Sequence, residues 1–258
     1  REFMNDITFP VGPGMTMNVN STSEDIQETW GLHAQGEMNF ALGHRTIVGF
    51  SYENDNQIAD KATVTISPFG PPSTTRRYSD ANIRTLSLYA QHEAALSDKL
   101  TATLGARYYK VDSDRDTYRI NGVEQANSSN SDDRLIGALG LVFKSSEDMT
   151  WRANVSQGYK YPTLAQLYLE TSAGSGGATI GNPNLKPETS TTFEIGGRID
   201  RDNFSVDGTL FYSEAQDYIT TMPTGTPREF TYQNVDSAKS WGVEISAEYQ
   251  SNLWQLRP

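Results

Sequence analysis

Apolar and polar residues alternate with a period of two over most of the chain. The first regular segment keeps its apolar residues on one parity: Trp30, Leu32, Ala34, Met38 and Phe40. The opposite parity is polar and includes His33, Gln35, Glu37 and Asn39. This repeat is that of a β-strand with one apolar and one polar face, so the segment predicts a strand.

The same pattern predicts further strands along the chain. Alternating segments lie at residues 48–52, 86–94, 100–106, 151–155, 193–199, 204–210 and 241–249. The segment 134–144 is also strand-like, but it is apolar on both parities and its facing stays open. Residues 1–27 are polar and interrupted by Pro and Gly, so they predict a loop or a partial strand. Together these segments give nine strands and the start of a tenth.

Connections of two lengths separate the predicted strands. Short turns near residues 42, 98, 146, 202 and 251 alternate with long polar segments at 54–82, 112–133, 158–190 and 216–237. A soluble sandwich has no reason for this asymmetry, whereas an outer-membrane barrel has short periplasmic turns and long extracellular loops. The predicted strands, at about 10 to 13 residues, also exceed the five or six usual in soluble sheets. We therefore predict an all-β fold, an antiparallel transmembrane β-barrel whose apolar parity faces lipid.

Composition agrees with a half-polar β-architecture. Only 36% of residues are hydrophobic and the mean hydropathy is -0.57, which argues against one large core. The content of 13 Tyr, 10 Phe and 4 Trp is too aromatic for a disordered chain. No apolar run approaches the roughly 20 residues of a transmembrane helix, whereas the strands of a barrel leave little bulk hydropathy.

Charge and cysteine content exclude several classes of function. The formal net charge of -11 and the lack of a basic stripe disfavour nucleic acid as a partner. With 0 Cys there are no disulfides, thiolate metal sites or cysteine nucleophiles. The start, REFMNDITFP, shows no signal peptide, and the end, SNLWQLRP, stops as a new strand begins. We therefore expect a fragment that is truncated at both ends.

Prolines mark residues 158–190 as a connection of a different kind. Pro162, Pro183 and Pro187 each fix φ and remove a backbone donor, so this stretch cannot lie inside a ladder. The glycine-rich run 174–177 between them supplies flexibility. The segment therefore predicts a stiff strand-to-loop-to-strand connection with a mobile tip.

Two motifs in this segment resemble the paired boxes found late in the barrel of TonB-dependent outer-membrane receptors. The first is the aromatic-x-x-Pro-Thr-Leu turn at 159–164, and the second is Asn-Pro-Asn-Leu-Lys-Pro-Glu-Thr-Ser at 182–190. The resemblance covers residues 28–258 and includes LYAQHEAALSDKLTATLGARYY and YQNVDSAKSWGVEI. It gives structural roles to seven box residues: Pro162, Asn182, Pro183, Asn184, Leu185, Pro187 and Glu188.

The resemblance implies part of a barrel of about 22 strands that closes around an N-terminal plug. The expected domain is a barrel wall of nine to ten strands over residues 28–258, without the plug or the TonB-contacting box. The implied function is TonB-energised uptake of an iron complex across the bacterial outer membrane. The implied partners are the TonB–ExbB–ExbD complex, reached through the missing N-terminal region, together with lipid and lipopolysaccharide. A passive porin or an adhesin is the alternative from another class.

Candidate ligand contacts lie in the predicted extracellular loops. Four arginines can complement an anionic ferric siderophore or simply be solvated: Arg76, Arg77, Arg115 and Arg119. Three tyrosines near the upper end of a strand either stack on a catecholate or porphyrin or belong to the aromatic girdle: Tyr159, Tyr161 and Tyr168. We expect a ferric siderophore ahead of haem, because residues 163–180 hold no histidine for axial ligation.

The 3 histidines are the candidate residues for haem ligation and for acid–base catalysis. His33 lies on the lumen-facing parity and is the candidate haem ligand, whereas His44 falls in a periplasmic turn and His92 on the lipid-facing parity. The nearest pair for a hydrolase is His92 with Ser87, and nothing else supports one. We therefore predict no catalytic residues and no enzyme activity.

Three acids have the every-second-residue spacing of a calcium loop: Asp112, Asp114 and Asp116. The glycine that should follow the third acid is Thr117, and the glutamate expected at the twelfth position is Val123. We therefore predict a solvated strand end with no resident metal or cofactor. A divalent ion that bridges lipopolysaccharide or stabilises the loop is the alternative.

Overall fold

The computed structural model describes residues 2–173, 177–250 and 255–256. Within these residues it contains one sheet of 14 strands and one short helix. The elements in chain order are β1 (Glu2–Gly12), β2 (Met15–Ala41), β3 (His44–Ile66), β4 (Ser73–Ser97), β5 (Leu100–Ile120), β6 (Val123–Glu124), β7 (Ser128–Lys144), β8 (Met149–Lys160), α1 (Leu164–Tyr168), β9 (Glu170–Ala173), β10 (Gly177–Ile180), β11 (Glu188–Arg201), β12 (Phe204–Pro223), β13 (Glu229–Gln250) and β14 (Gln255–Leu256). The predicted all-β class is confirmed.

The long strands follow one another as antiparallel neighbours in the order β1-β2-β3-β4-β5-β7-β8-β11-β12-β13. Strand β10 joins the start of β13 in parallel, and β9 pairs with β10. We call the edge with the turns at 42–43, 98–99, 145–148 and 202–203 the turn rim, and the opposite edge the loop rim. These turns were predicted, and the one predicted near 251 lies outside the described residues.

Three of the four segments predicted as long loops are mostly strand. Strand β3 continues to Ile66 and β4 starts at Ser73, so only residues 67–72, with their prolines, form that connection. Residues 1–27 are predicted to form a loop or a partial strand, and only the loop half of this prediction is wrong, because β1 and the start of β2 form a ladder that places Glu2 opposite Glu24. These strand segments carry polar residues on both faces, so they show no period-two alternation of apolar and polar residues. They still form strands, because backbone pairing itself needs no apolar face.

The two faces of the sheet differ near the turn rim. On the outer face Phe50 lies opposite Leu88, and both side chains are exposed in the isolated chain. On the inner face the neighbouring residues Ser51 and Ser87 share a hydrogen bond of 2.7 Å. The register also determines the facing of β7, since Leu141 lies opposite Ala153 on the outer face.

The predicted facing of β8 agrees with its contacts. Arg152 forms an ion pair with Asp207 on the inner face, and the Asn154 amide donates to Glu194 there at 3.2 Å. The alternate residues lie on the outer face: Trp151, Ala153 and Val155. Outer-face substitutions on this strand therefore change the lipid-facing surface, and inner-face substitutions change a polar wall.

Aromatic residues border the outer apolar band on both sides. The border toward the loop rim carries Trp30, Tyr52, Tyr108, Tyr212 and Trp241. The border at the turn rim carries Phe40, Phe143, Trp151, Phe204 and Tyr249. The band between them is about ten residues high, which matches the apolar band and paired aromatic girdles of an outer-membrane barrel. No helix among the described residues is long and apolar enough to cross a bilayer.

Candidate functional site

The connection between β8 and β11 is described at residues 161–173 and 177–187, and these residues fold against the inner face of the sheet near the loop rim; we call them the inner loop. Most of the mobile tip predicted at 174–177 lies outside the described residues. The inner loop forms one cluster of buried side chains with the wall: Ala81, Ile83, Val111, Leu164, Leu167, Tyr168, Leu185 and Ile219. Helix α1 is at the centre of this cluster, since the side chain of Leu167 is 0% exposed. The inner loop is thus a packed part of the wall.

Local sequence explains why a helix begins here. Pro162 is fully buried and ends the β8 ladder because it offers no backbone donor. Thr163 then caps α1: its side chain accepts from the backbone N–H of Gln166, while the Gln166 side chain accepts from the Thr163 N–H at 3.0 Å. This reciprocal capping box satisfies two of the free donors of the first turn.

Gly181 brings the two arms of the inner loop together. Its N–H donates to the Leu169 carbonyl at 2.8 Å, and the Asn182 N–H donates to the Gln166 carbonyl at 2.8 Å. A Cβ at Gly181 would lie 2.7 Å from the backbone nitrogen of Tyr168, closer than real side chains approach. Only glycine allows this contact, because the backbone at Gly181 lies directly against the backbone of helix α1.

The first half of the second box anchors the inner loop to its neighbours. The Asn182 amide donates to the Tyr232 carbonyl at 2.9 Å, and its oxygen accepts from the Asn184 N–H at 3.0 Å. The Pro183 carbonyl accepts from the Asn130 amide of β7 at 2.8 Å. These bonds connect the inner loop to β7 and β13, which lie on opposite sides of the strand pair β8 and β11 that the loop joins.

The second half of this box starts β11. Leu185 is buried in the cluster, and Pro187 stands directly before the first strand residue, Glu188. The Glu188 carboxylate accepts from the Ile219 N–H at 2.8 Å and pairs with Lys160 at 3.1 Å. The predicted family-motif residues therefore take structural positions around the inner loop.

Three tyrosines predicted as ligand contacts belong to this packing. The Ser113 hydroxyl contacts the Tyr161 hydroxyl at 2.8 Å and that of Tyr168 at 2.9 Å. The Tyr159 hydroxyl donates to Asp132 at 2.9 Å. Burial is the main cause that raises the pKa of Tyr161, and this phenol stays neutral.

These contacts correct two expectations. The side chain of Tyr168 is only 4% exposed, so it presents no face on which a catecholate or porphyrin can stack. The three tyrosines also lie apart from the girdle, since they contact the inner wall through Ser113 and Asp132. The residues of the actual girdle were missed because their role depends on the height of each strand in the barrel.

An ion cluster secures the inner loop beyond α1. The Glu170 carboxylate accepts from Lys61 at 3.0 Å and pairs with Arg77 at 2.8 Å. Lys61 and Arg77 lie directly opposite each other on β3 and β4. The side chains of Lys61 and Glu170 are only 9% and 12% exposed, so both charges depend on this pairing.

A cavity of about 120 Å³ lies between this ion cluster and β5. Its charged lining residues are the cations Lys61, Arg77 and Arg115 and the carboxylate of Glu170, which leaves an excess of two positive charges. Arg115 stacks on Tyr118, with its guanidinium carbon 4.2 Å from the ring centroid. The cavity therefore offers cationic and aromatic surface together.

Two donors at this cavity lack a partner within the described part of the chain. The Ser79 hydroxyl is buried without a hydrogen bond, and so is the Arg115 Nε, although the other end of the guanidinium donates to the Ala126 carbonyl at 3.1 Å. Burial lowers the pKa of Arg115, because desolvation disfavours its charge. Buried donors without acceptors are costly, and an anion in the cavity would satisfy them.

The chain matches, over residues 3–258, the family model described as "TonB dependent receptor-like, beta-barrel". It belongs to this family. The members are transport receptors, and their barrels lie in the bacterial outer membrane, which is therefore the location of this chain. The apolar band of this TonB-dependent receptor barrel accordingly faces lipid.

Individual relatives cover parts of this receptor barrel. It is 33% identical over 138 residues to the vitamin B12 transporter BtuB of Vibrio vulnificus (strain YJ016). This match covers 52% of this chain and 21% of that protein. It is 27% identical over 205 residues to the hemin receptor of Yersinia pestis, and this match covers 72% of this chain and 29% of that protein. The chain therefore spans less than a third of the length of these two relatives.

A solved structure shows the same fold. The ferric yersiniabactin uptake receptor FyuA from Yersinia pestis is 20% identical, with a TM-score of 0.63, and the match covers 96% of this chain and 36% of that one. This likeness concerns the barrel fold alone. It agrees with the antiparallel order and the two rims of the TonB-dependent receptor barrel described here.

The predicted arginines of this receptor barrel separate into two groups. Arg77 and Arg115 both line the cavity. Arg76 instead pairs with Asp60, and Arg119 pairs with Glu124, both on exposed surface. Sequence reasoning missed Lys61, Ser79 and Tyr118 at the cavity, because they lie in segments predicted as loops and only the strand register brings them beside the arginines.

Two further predicted sites of the receptor barrel lie elsewhere. His33 is on the inner face toward the turn rim, where its Nε2 contacts the Tyr89 hydroxyl at 2.7 Å. The acids Asp112, Asp114 and Asp116 lie along extended β5, so the wrapped loop that a calcium site needs is not formed. Asp114 accepts from Arg84 and Ser129, and the question of a bridging divalent ion stays a prediction.

Proposed function

We propose that the receptor to which this barrel wall belongs imports an anionic iron chelate, and that this chelate is a ferric siderophore rather than haem. The observation that carries the proposal is the cavity beneath the inner loop, with its two excess positive charges and two unpartnered donors. Import would be energised by the TonB–ExbB–ExbD complex, as for the family.

The cavity differs in charge from the rest of the chain. The chain as a whole carries a formal net charge of -11, which repels anions, while the cavity collects three cations around one carboxylate. Clefts lined by one sign of charge raise the local concentration of the opposite ion. An anionic group of a chelate is therefore drawn to Arg77 and Arg115, where Tyr118 adds an aromatic face.

Haem is the second candidate, and a specific residue favours it. His33 offers an imidazole on the inner wall, and the hemin receptor of Yersinia pestis is among the relatives. Haem is also anionic through its propionates, so the cavity alone does not separate the two ligands. The siderophore ranks first because no histidine lies between Thr163 and Ile180 and because His33 is already hydrogen-bonded to Tyr89.

The test is growth rescue of an iron-starved, receptor-deficient strain by the intact receptor, with separate arms for haem, a siderophore panel and vitamin B12. We expect rescue by an anionic siderophore, weakened by Arg115→Gln and unchanged by Arg201→Gln, a turn-rim arginine that pairs with Asp148. Rescue by haem alone, lost in His33→Ala, would reverse the ranking. Rescue by vitamin B12 alone would remove iron from the proposal, and rescue without TonB would indicate a passive porin.

A further inference from the structure

Two of the 3 histidines of the chain meet on the outer face at the turn rim. His44 is the first residue of β3, and His92 lies on the neighbouring strand β4. The register places His44 opposite Ala94 and Thr46 opposite His92, so the two imidazoles are diagonal neighbours on one face. Both side chains are half-buried, which leaves access from the rim.

The two rings present nitrogen atoms to each other. His44 Nδ1 and His92 Nε2 are 3.3 Å apart, and the ring centroids are 5.5 Å apart. The other nitrogen of His92, Nδ1, contacts the Thr46 hydroxyl at 2.7 Å. This hydrogen bond fixes the orientation of the His92 ring and leaves its Nε2 directed at His44.

The separation of the nitrogens suits a tetrahedral metal ion. Zinc–imidazole bonds of about 2.0 to 2.1 Å at a tetrahedral angle place two nitrogens about 3.3 Å apart. A hydrogen-bond partner on the second nitrogen is the usual support of a metal-bound histidine, and Thr46 supplies it. We propose that His44 and His92 form a two-imidazole site for a divalent transition-metal ion that prefers imidazole, with zinc as the best fit to the geometry.

The surroundings define what else would bind the ion. In the described ranges no group of three or more His, Asp or Glu side chains is placed to hold a metal, so the described residues supply two ligands. Water or a lipid headgroup at the rim would complete the tetrahedron. The ion would link β3 to β4 beside the turns at 42–43 and 98–99, on the lipid side of the wall and apart from the cavity beneath the inner loop.

The experiment is a zinc titration of the purified intact receptor in detergent, in competition with a chromophoric chelator. We compare the wild type with His44→Gln, with His92→Gln and with the matched control His33→Gln on the inner face. We expect one zinc site that weakens at least about tenfold in either outer-face variant and is unchanged in the control. Thr46→Val, which keeps both imidazoles, should weaken zinc binding by about tenfold or more through loss of the supporting hydrogen bond.

A second readout keeps the test independent of folding defects in the variants. Zinc should raise the thermal unfolding midpoint of the wild-type receptor and leave that of the double variant His44→Gln/His92→Gln unchanged, because only the former holds the ion in its native state. Equal zinc affinity in the wild type and the double variant would overturn the proposal. It would mean that the histidines form only a hydrogen-bonded pair.

Discussion

The outer apolar band and the inner-loop cluster use similar residues for opposite purposes. In the band Leu104 is 63% exposed and Ile245 is 75% exposed, whereas in the cluster Leu167 is 0% exposed. The band faces lipid, so its large side chains need no protein partner, and its strands are held together by the backbone ladder. The cluster lies beyond the band, where apolar groups must be covered by protein.

This difference separates two kinds of stability in one wall. The ladder of the band is continuous from β2 to β13, and its outer side chains contribute through their transfer from water to lipid. The inner loop is held by side-chain packing, by capping and by the ions around Glu170. A substitution in the inner-loop cluster should therefore change the local stability of the loop. A substitution in the outer apolar band should change the stability of the whole barrel in the membrane.

The largest effect is expected when the cluster loses its central side chain. Leu167→Ala should cost about 2 to 5 kcal/mol of local stability, because it removes a fully buried leucine and leaves a cavity. Limited proteolysis and amide hydrogen exchange of residues 164–185 would report the release of the inner loop. Leu104→Ala in the band is the matched control and should leave the protection of the loop unchanged. Equal protection in both variants would show that the cluster does not hold the loop.

A charge in the band tests the lipid-facing side. Val155→Arg should destabilise the folded barrel by about 2 to 4 kcal/mol, since a cation near the bilayer midplane faces hydrocarbon. Ser156→Arg, the next residue on the inner face, should cost much less. Urea unfolding of the intact receptor in bilayers measures the difference. Spin labels at residues 151–155 should alternate in oxygen accessibility, and a uniform profile would contradict the register.

The sequence predicted the band better than the loop rim for a physical reason. Trp151 and Val155 share a parity because lipid faces one side of β8, and this signal is local. Above the band both faces are polar, so the upper parts of β3 and β4 left no period to detect. The prolines still predicted that residues 158–190 leave the ladder.

The candidate site was harder to predict than the fold. Its residues come from three strands and one loop, and the contact between Lys61 and Glu170 joins positions 109 residues apart. Arg77 and Arg115 were found because of their charge, but nothing in the sequence separated them from Arg76 and Arg119. Only the register and the inward fold of the loop made that distinction.

A smaller effect is expected from the ions that secure the inner loop. Glu170→Gln should destabilise the loop by about 1 to 3 kcal/mol, because it leaves the buried Lys61 amine without a carboxylate. Glu124→Gln removes a similar contact to Arg119 on exposed surface, where ion pairs contribute only about 0 to 1 kcal/mol. Hydrogen exchange at residues 170–171 should increase in the first variant alone. An equal response of both variants would show that burial adds nothing to the ion pair.

The smallest effect concerns pH and the exposed hairpin above the band. The hydrogen bond from Arg76 lowers the pKa of Asp60, so the folded state holds this carboxylate more firmly ionised than the unfolded state does. The resulting stability is complete above the unfolded pKa of about 3.9 and is lost as the pH falls through the lower folded value. Because the Arg76 side chain is 67% exposed, solvent screening keeps this gain in stability small. Unfolding of the wild type and of Arg76→Gln should therefore differ slightly at pH 7 and converge as the pH falls below the lowered pKa of Asp60, and a difference that grows on acidification would contradict the assigned sign.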